Sequence, residues 1–244
     1  MIYAVISDVH SNLPALERAV ATATARAAEQ FLCLGDVVGY GASPNECCAL
    51  LRSLPGLCIR GNHDAAAVEP GRELWFTPAA RQCIMWTRGV LTPESREFLA
   101  GLPPAAEVPG AELCHGSVPD PDLYTLTPEQ ATDSFEALAG QLAFFGHTHL
   151  AGWFEEKEPG RAPRAEFTPE GALLRLSEDR RYLINPGAVG QPRDGNPQAS
   201  LALWDTEART VEIVLFAYDL GEAQAKMRRV HLPESMASRL SLGV

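Results

Sequence analysis

The segment IYAVISDVH, residues 2–10, is a continuous apolar run that ends on an acid and a histidine. Such a run is typical of a strand that is buried on both faces. Ser11 or Asn12 can cap a helix that we predict from Leu13 to about Ala28, and a second strand is predicted at Phe31–Leu34. A buried strand, a helix and another buried strand in succession predict an α/β fold.

The pattern of elements changes along the chain. Up to Phe145, stretches typical of strands alternate with stretches typical of helices, and the segment 65–102 is predicted to be helical. From Trp153 to Phe216, short apolar stretches separated by turn residues predict mostly strands. Two sheets packed face to face with helices outside would bury both sets of elements. We therefore expect one domain over residues 1–244, with a helical cap inserted around residues 65–102.

Composition limits the functions that the chain can have. Of its 244 residues, 46% are hydrophobic and 21% are charged, as in globular proteins and unlike disordered ones. The formal net charge is −11, and an acidic chain repels extended nucleic acid and anionic membranes. The sequence has no signal-peptide pattern and no apolar segment near the roughly 20 residues that span a bilayer. We therefore expect a cytoplasmic protein with neither membrane nor extended nucleic acid as a partner.

Histidines and acids follow the predicted strands. Five of the six histidines lie just after a predicted strand, beside other residues that can bind metals. The groups are Asp8-x-His10, Gly35-Asp36, Gly61-Asn62-His63-Asp64, Cys114-His115-Gly116 and Gly146-His147-x-His149. In α/β sheets the carboxyl ends of the strands are the usual place for an active site. We therefore expect these side chains to converge.

Each group by itself also has a structural explanation. Asp-x-His and Gly-Asp pairs are common in turns, so for any one group a structural role is as good an explanation as a functional one. Turn formation does not explain five such groups in this order, each at the end of a strand. His231 provides a comparison, because it stands alone near the tail and is predicted to lie on the surface.

The order and spacing of the five groups resemble those of the calcineurin-like metallophosphoesterases. The groups span residues 8–149, and the segments 35–46 and 185–195 resemble a compact bacterial branch of that family. The resemblance implies a four-layer α/β/β/α sandwich of two mixed sheets flanked by helices, with a binuclear metal centre. By position in the motifs, the first ion would be bound by Asp8, His10, Asp36 and His149. The second would be bound by Asp36, Asn62, His115 and His147, so that the Asp36 carboxylate bridges both ions.

The implied ligands limit the metal and the reaction. Imidazole, carboxylate and amide ligands without a thiolate suit two divalent ions of manganese, iron, zinc, cobalt or nickel, and the sequence does not choose among them. Such a pair would activate a water to hydroxide for attack on phosphorus. In the family the counterpart of His63 faces the substrate as general acid or charge stabiliser. Asp64 is expected to orient the His63 imidazole and to favour its protonated form.

Other residues near these groups are weaker candidates. Arg193 lies in a loop rich in proline and glycine, where its guanidinium could bind a substrate phosphate or simply lie on the surface. Tyr40 lies between two glycines, and we predict that it packs the loop rather than binding a nucleobase. Trp75, Phe76 and Trp86 occur at helix-like spacing and are predicted to be core residues.

The function predicted from these observations is a metal-dependent phosphodiesterase that hydrolyses a small or nucleotide-derived phosphate ester. A diadenosine tetraphosphate hydrolase or a protein-phosphatase-like enzyme would use the same site with different surrounding loops. The alternative from another functional class is a metal-binding scaffold for protein interactions. Loss of His63 or of several ligands would mark a scaffold, and none of these residues is missing.

Overall fold

A computed structural model of the chain describes residues 1–161, 164–167 and 172–244. Its strands are β1 (Ile2–Ile6), β2 (Gln30–Cys33), β3 (Gly56–Cys58), β4 (Ala105–Val108), β5 (Ala111–Cys114), β6 (Leu142–Phe144), β7 (Ala151–Glu156), β8 (Arg164–Phe167), β9 (Leu173–Arg175), β10 (Arg181–Pro186), β11 (Ala199–Asp205) and β12 (Thr210–Phe216). Its helices are α1 (Leu13–Ala25), α2 (Pro44–Ser53), α3 (Asn62–Val68), α4 (Pro78–Val90), α5 (Pro93–Gly101), α6 (Pro128–Ala137), α7 (Leu220–Arg229) and α8 (Glu234–Arg239). A 3-10 helix covers Arg72–Trp75.

Within the described residues the strands form two sheets of six. The first has the order β3-β2-β1-β11-β12-β9 and the second the order β4-β5-β6-β10-β7-β8. Strands β1, β2 and β3 run parallel, whereas β11 runs antiparallel to β1. In the second sheet β6 runs parallel to both β5 and β10, and β7 runs antiparallel to β10. Both sheets are therefore mixed, as the sequence predicted.

Successive side chains of β1 pack into different layers of the fold. Ala4 and Ile6 lie in an apolar cluster with Leu16 of α1, outside the first sheet. Val5 points to the opposite face and belongs to the cluster between the sheets, which also contains Phe144 of β6. On the outer face of the second sheet, α6 packs through the buried side chain of Phe135. These layers confirm the predicted α/β/β/α sandwich.

The segment 65–102 is mostly helical, as predicted, and new helices begin at Pro78 and Pro93. The hydroxyl oxygens of Thr77 and Thr92 accept hydrogen bonds from backbone N–H groups in the first turns of α4 and α5, each of which begins with proline. The sequence did not predict strands β4 and β8 or helix α8. Among the described residues, no helix combines the length and apolar character that crossing a membrane requires.

Candidate metal centre

The predicted ligands come together where the strands of both sheets end. Asp8 and Asp36 follow β1 and β2, and Asn62 begins α3 just after β3. From the second sheet, His115 follows β5 and His147 and His149 follow β6. The histidine rings and both carboxylates are buried. The structure thus brings all seven predicted ligands to one place.

Among the described residues, three groups of side chains have ligand atoms within 4.8 Å of one another. They are Asp8, His10 and His149; Asp36, His115 and His147; and His10, Asp36 and His63. Asp36 connects them, because its Oδ2 atom lies 3.5 Å from His10 Nε2 and 3.4 Å from His115 Nε2. Asn62 joins the second group, since its Oδ1 atom lies 3.1 Å from His115 Nε2. Asp36 thus adjoins histidines of both predicted ligand sets, and His63, which is not predicted to bind a metal, lies in a group with it.

Backbone carbonyl groups fix the orientation of three histidine rings. The Nδ1 atoms of His10, His115 and His149 lie 3.2, 2.8 and 2.6 Å from the carbonyl oxygens of Val38, Leu34 and Gln191. A ring nitrogen beside a carbonyl oxygen carries the proton, so in the neutral ring Nε2 presents a lone pair. Histidines that bind metals typically have this arrangement. The three Nε2 atoms are therefore oriented as ligands.

Lone pairs of neighbouring ligand atoms face one another, an arrangement that a bound cation would stabilise. His10 Nε2 lies 3.2 Å from His149 Nε2, and each carries a lone pair when its Nδ1 donates to a carbonyl. Asp8 Oδ1 is buried, lies 3.2 Å from His149 Nε2 and accepts no well-aligned hydrogen bond among the described residues. A cation in contact with these atoms would satisfy all three. The donor set therefore fits divalent metal ions.

Buried carboxylates and histidines shift one another's pKa values at this site. Burial by itself would raise the pKa of Asp36, but the nearby His115 and His63 outweigh it and hold the pKa well below its usual range. Burial would lower the pKa of His115, but the carboxylates of Asp36 and Asp8 raise it to about 10. The high pKa of His115 therefore reflects the two buried carboxylates near it.

The backbone at the ligands adopts an unusual conformation. Five of the predicted ligands have φ angles between 48° and 67°, in the left-handed region: Asp8, His10, Asp36, His147 and His149. This region is uncommon for residues other than glycine, although Asp and His enter it more readily than most. Further contacts stabilise the turns, because the backbone N–H of His63 donates to Asp36 Oδ1 at 2.8 Å. That of His147 donates to Asp8 Oδ2 at 3.0 Å.

Gly61 is required for the position of Asp36. A Cβ atom at Gly61 would overlap Asp36 Oδ1 and the Asp36 backbone nitrogen. We expect Gly61→Ala to displace the carboxylate and to weaken metal binding by roughly 10–100-fold. It should also lower the free energy of unfolding by about 1–3 kcal/mol. Isothermal titration calorimetry with Mn²⁺ or Zn²⁺ and chemical denaturation measure the two effects.

Gly89→Ala is the matched control for this substitution. A Cβ atom at Gly89, within α4, would have no neighbouring atom within 4 Å. Alanine in a helix is more stable than glycine, so this variant should gain about 0.5–1 kcal/mol of stability with unchanged metal affinity. Unchanged metal affinity in Gly61→Ala would contradict the proposed steric role of Gly61.

His63 lies beside the ligands, and aromatic rings hold its imidazole. Its ring centroid lies 4.6 Å from that of Tyr40 and 4.7 Å from those of Phe76 and His10. His63 Nδ1 is buried and has no hydrogen-bond partner among the described residues. Tyr40 is buried in this packing, which confirms the prediction that it packs the loop. Phe76 also packs as predicted, but its contact with His63 was not foreseen.

Asp64 does not contact the His63 imidazole, so the predicted orienting role is wrong. Its Oδ1 accepts a hydrogen bond from the Val38 N–H and its Oδ2 one from the Gly61 N–H, both at 3.0 Å. Burial, followed by the charge of Asp36, raises the pKa of Asp64 to about 7. Burial also lowers the pKa of His63 to about 4, so the expected preference for the protonated imidazole is wrong too. Asp64 instead connects the loops that carry Asp36 and His63.

Arg193 lies in the cleft that opens onto the ligands. The cleft has a volume of about 570 Å³ and is also lined by Asp36, Asn62 and His63. Arg193 Nη2 donates to Tyr40 Oη at 3.3 Å and to Gln191 Oε1 at 3.4 Å. In the described part of the chain no carboxylate pairs with this guanidinium. The structure therefore places a positive charge beside the candidate metal centre.

Two further residues were not identified from the sequence as parts of the site. Asn185 Nδ2 donates to Gly146 O at 2.8 Å and to Thr148 Oγ1 at 3.0 Å, and so fixes the loop that carries His147. Trp75 was predicted to be a core residue, and this is wrong, because it is 90% exposed and lines the cleft. The lone His231 is exposed, as predicted.

Comparisons with known proteins agree with this geometry. Residues 1–209 match the family described as the calcineurin-like phosphoesterase superfamily domain. The chain is 39% identical over 245 residues to "Uncharacterized protein MJ0912" of Methanocaldococcus jannaschii, which covers 98% of this chain and 97% of that protein.

Solved structures extend the comparison. The crystal structure of a metallophosphoesterase from Sphaerobacter thermophilus is 37% identical with a TM-score of 0.91, and the alignment covers 100% of this chain and 99% of that one. The hypothetical protein PH1004 from Pyrococcus horikoshii OT3 is 21% identical with a TM-score of 0.75, over 100% of this chain and 98% of the other, and shares the fold. The family match over most of the sequence and the relatives above 30% identity show that the chain belongs to the calcineurin-like phosphoesterase superfamily.

Proposed function

We propose that the chain is a phosphodiesterase that depends on two divalent metal ions and hydrolyses a small phosphate diester. The observation that supports this most directly is the position of Asp36, whose carboxylate lies between the histidines of two ligand groups. Two cations near each other repel, and a shared carboxylate reduces that repulsion. Asp8, His10, Asp36 and His149 would hold one ion, and Asp36, Asn62, His115 and His147 the other.

The remaining residues would act on the substrate. When bound, the two ions would supply an activated water and would neutralise charge on the phosphoryl oxygens. The Arg193 guanidinium would bind a further phosphoryl oxygen, since its planar fork matches phosphate geometry. His63 faces the cleft, and an anionic phosphate beside it would raise its pKa by Coulomb attraction. It could then give a proton to the leaving oxygen, while Asp64 positions its loop.

We also propose that the segment 65–102 acts as a cap over the centre. Pro70, Phe76 and Ala80 from this segment line the cleft beside the ligands. Phe76 packs edge-on against the His63 ring. A substrate would thus contact the cap and the ligand loops together, which would couple its recognition to the reacting centre.

Metal binding should stabilise the folded protein strongly. A ligand at a hundred times its dissociation constant stabilises by about 2.7 kcal/mol. For a chain of this length that corresponds to a rise in Tm of roughly 5–10 °C. We expect this rise in a differential scanning calorimetry experiment with Mn²⁺ or Zn²⁺, and its reversal by a chelator.

Two histidine variants serve as controls for this measurement. His231→Ala, at an exposed position away from the cluster, should keep the full rise in Tm. His115→Ala removes a ring that contacts both Asp36 and Asn62, and this variant should lose most of the rise in Tm. The proposal is contradicted if manganese, iron, zinc, cobalt and nickel all leave the Tm unchanged.

A substrate screen distinguishes the proposed activity from its alternatives. Bis-p-nitrophenyl phosphate, p-nitrophenyl phosphate, diadenosine tetraphosphate and a phosphopeptide are each tested with several divalent metals. We expect the highest kcat/KM for the diester. A higher value for the dinucleotide or the phosphopeptide would favour the corresponding alternative, and hydrolysis of monoesters alone would contradict the proposal. Bound metal without hydrolysis of any substrate would favour the scaffold.

A further inference from the structure

The cleft is larger than the reacting group requires. A phosphoryl group bound at the metal ligands would fill only part of the 570 Å³, a volume in the range of sites for drug-sized molecules. Residues outside the ligand groups also line the cleft, and we call this part of the lining the outer cleft: Arg72, Trp75, Phe76, Asp122 and Tyr124. Whatever is esterified to the phosphate would therefore lie against these residues.

Trp75 has an exposure that its position in the fold does not explain. A tryptophan side chain gains much free energy by burial, yet Trp75 is 90% exposed. It ends the 3-10 helix Arg72–Trp75, and one wall of the cleft is formed by its side chain. A large aromatic ring that stays exposed on the wall of a cleft is free to pack against a ligand bound there.

The turn that carries Trp75 is firmly held. Arg81 donates from Nε to Glu73 O and from Nη2 to Leu74 O, both at 3.1 Å. Arg88 Nη2 lies 2.8 Å from Glu73 Oε2, and both side chains of that ion pair are largely buried. The Trp75 backbone is thus fixed on its N-terminal side. A ring presented by such a turn loses little conformational entropy when it binds a ligand.

Tyr124 lies on the same cleft and connects it to the metal ligands. Its ring stacks on that of His147, with centroids 4.0 Å apart and an angle of 16° between the planes, and it remains 44% exposed. The two walls meet where Arg72 Nη1 lies 3.4 Å from Asp122 Oδ2. Arg72 is three residues before Trp75, and Asp122 is two residues before Tyr124. The aromatic residues therefore belong to adjoining walls of one cleft.

We propose that Trp75 and Tyr124 form a subsite for the planar heterocyclic base of a nucleotide-type phosphoester. The inference rests on the proposed function, because the phosphate must be held at the metal ligands while the base lies in the outer cleft. Stacking on aromatic rings suits nucleobases, since every base has a π-face. The Arg193 guanidinium, which has no carboxylate partner among the described residues, lies in the same cleft and would favour the anionic phosphate attached to such a base.

Leu74 distinguishes this subsite from a protein-binding surface. Leu74 is 63% exposed and adjoins Trp75 in sequence, but it does not line the cleft. A partner protein or a second copy of the chain that covers this surface would contact both side chains. Of these two side chains, a small ligand within the cleft would contact only Trp75.

Adenosine 5′-monophosphate and ribose 5-phosphate provide the test, because they differ only in the base. Their Kd values are measured by calorimetry on the metal-loaded protein. We expect adenosine 5′-monophosphate to bind about tenfold tighter. Trp75→Ala should reduce the ratio of the two Kd values, since Tyr124 alone would then contact the base, and leave the Kd of ribose 5-phosphate unchanged. Leu74→Ala should keep the ratio.

Three results would overturn the inference. They are equal Kd values in the unaltered protein, a ratio that Trp75→Ala leaves unchanged, and an equal effect of Leu74→Ala. An equal effect of Leu74→Ala would indicate a surface that binds a second copy of the chain. Sedimentation of both variants would then show a change in oligomeric state. If adenosine 5′-monophosphate binds tighter than ribose 5-phosphate but no diester is hydrolysed, only the proposed function is contradicted. If a diester is hydrolysed but the two Kd values are equal, only this inference is contradicted.

Discussion

Replacing Asp36 with asparagine is expected to lower kcat/KM for a phosphate diester by roughly 10³-fold, because metal ions contribute several kcal/mol of transition-state stabilisation. The reason is the shared position of the Asp36 carboxylate, which lies within 3.5 Å of His10 Nε2 and 3.4 Å of His115 Nε2. Asparagine has nearly the same shape and can still accept the His63 N–H through its oxygen. The variant therefore removes the negative charge with little change in shape.

The metal content of the variant separates a bridging role from an ordinary ligand role. Inductively coupled plasma mass spectrometry should show that Asp36→Asn loses affinity for both ions. Asp8→Asn is the comparison, because Asp8 belongs to one ligand group only, with His10 and His149. It should affect one ion more than the other. Full retention of both ions in Asp36→Asn would contradict the proposed bridging role of the Asp36 carboxylate.

Replacing His63 with alanine is expected to lower kcat by roughly 10²–10⁴-fold, the usual contribution of general acid catalysis. The metal content should stay the same, since His63 is not among the residues proposed to bind either ion. Metal content also tests whether His63 is itself a ligand, because one of its ring nitrogens lies within 4.8 Å of ligand atoms of His10 and Asp36. Loss of metal from His63→Ala would show that His63 is a ligand instead.

The leaving group shows whether His63 gives a proton. A p-nitrophenolate leaves without protonation, whereas an alkoxide needs a proton, so His63→Ala should impair dialkyl substrates more than nitrophenyl diesters. The exposed His231 provides the control, and His231→Ala should hydrolyse both substrates normally. An equal loss for both substrates would mean that His63 stabilises charge without transferring a proton.

The place where the candidate ligands meet could be predicted because these residues follow strands. The apolar run before Asp8 predicts where β1 ends, and the same reasoning applies to Asp36 and His115. Strands buried on both faces are among the clearest features of a sequence, and their carboxyl ends meet at one edge. The convergence of the ligands could therefore be expected from local patterns alone.

Two errors arose because spacing in a sequence was interpreted without the turns between elements. Trp75 and Trp86 appeared to share one helix, but Gly71, with a φ of 99°, starts a separate 3-10 helix and Thr77 starts α4. Asp64 follows His63 directly on α3. Neighbouring residues on a helix do not face each other, so the carboxylate points away from the imidazole.

The strands that were missed lie at the edge of a sheet. Strand β4 (Ala105–Val108) has the sequence AAEV, which contains no apolar run, and it pairs only with β5. Strand β8 (Arg164–Phe167) has the sequence RAEF and occupies the opposite edge of the same sheet. Pairing with a neighbouring strand, and not the sequence of these segments, determines that they form strands.

The left-handed backbone at the ligands has a consequence for how this protein can change. At Asp8, His10, Asp36, His147 and His149 the conformation that aims the side chain is one that glycine would adopt with less strain. Replacing one of these five residues with glycine would therefore relieve backbone strain but remove a proposed metal ligand. Bound metal would stabilise the folded protein in return, so a variant that exchanges a ligand for glycine should gain stability only when metal is absent.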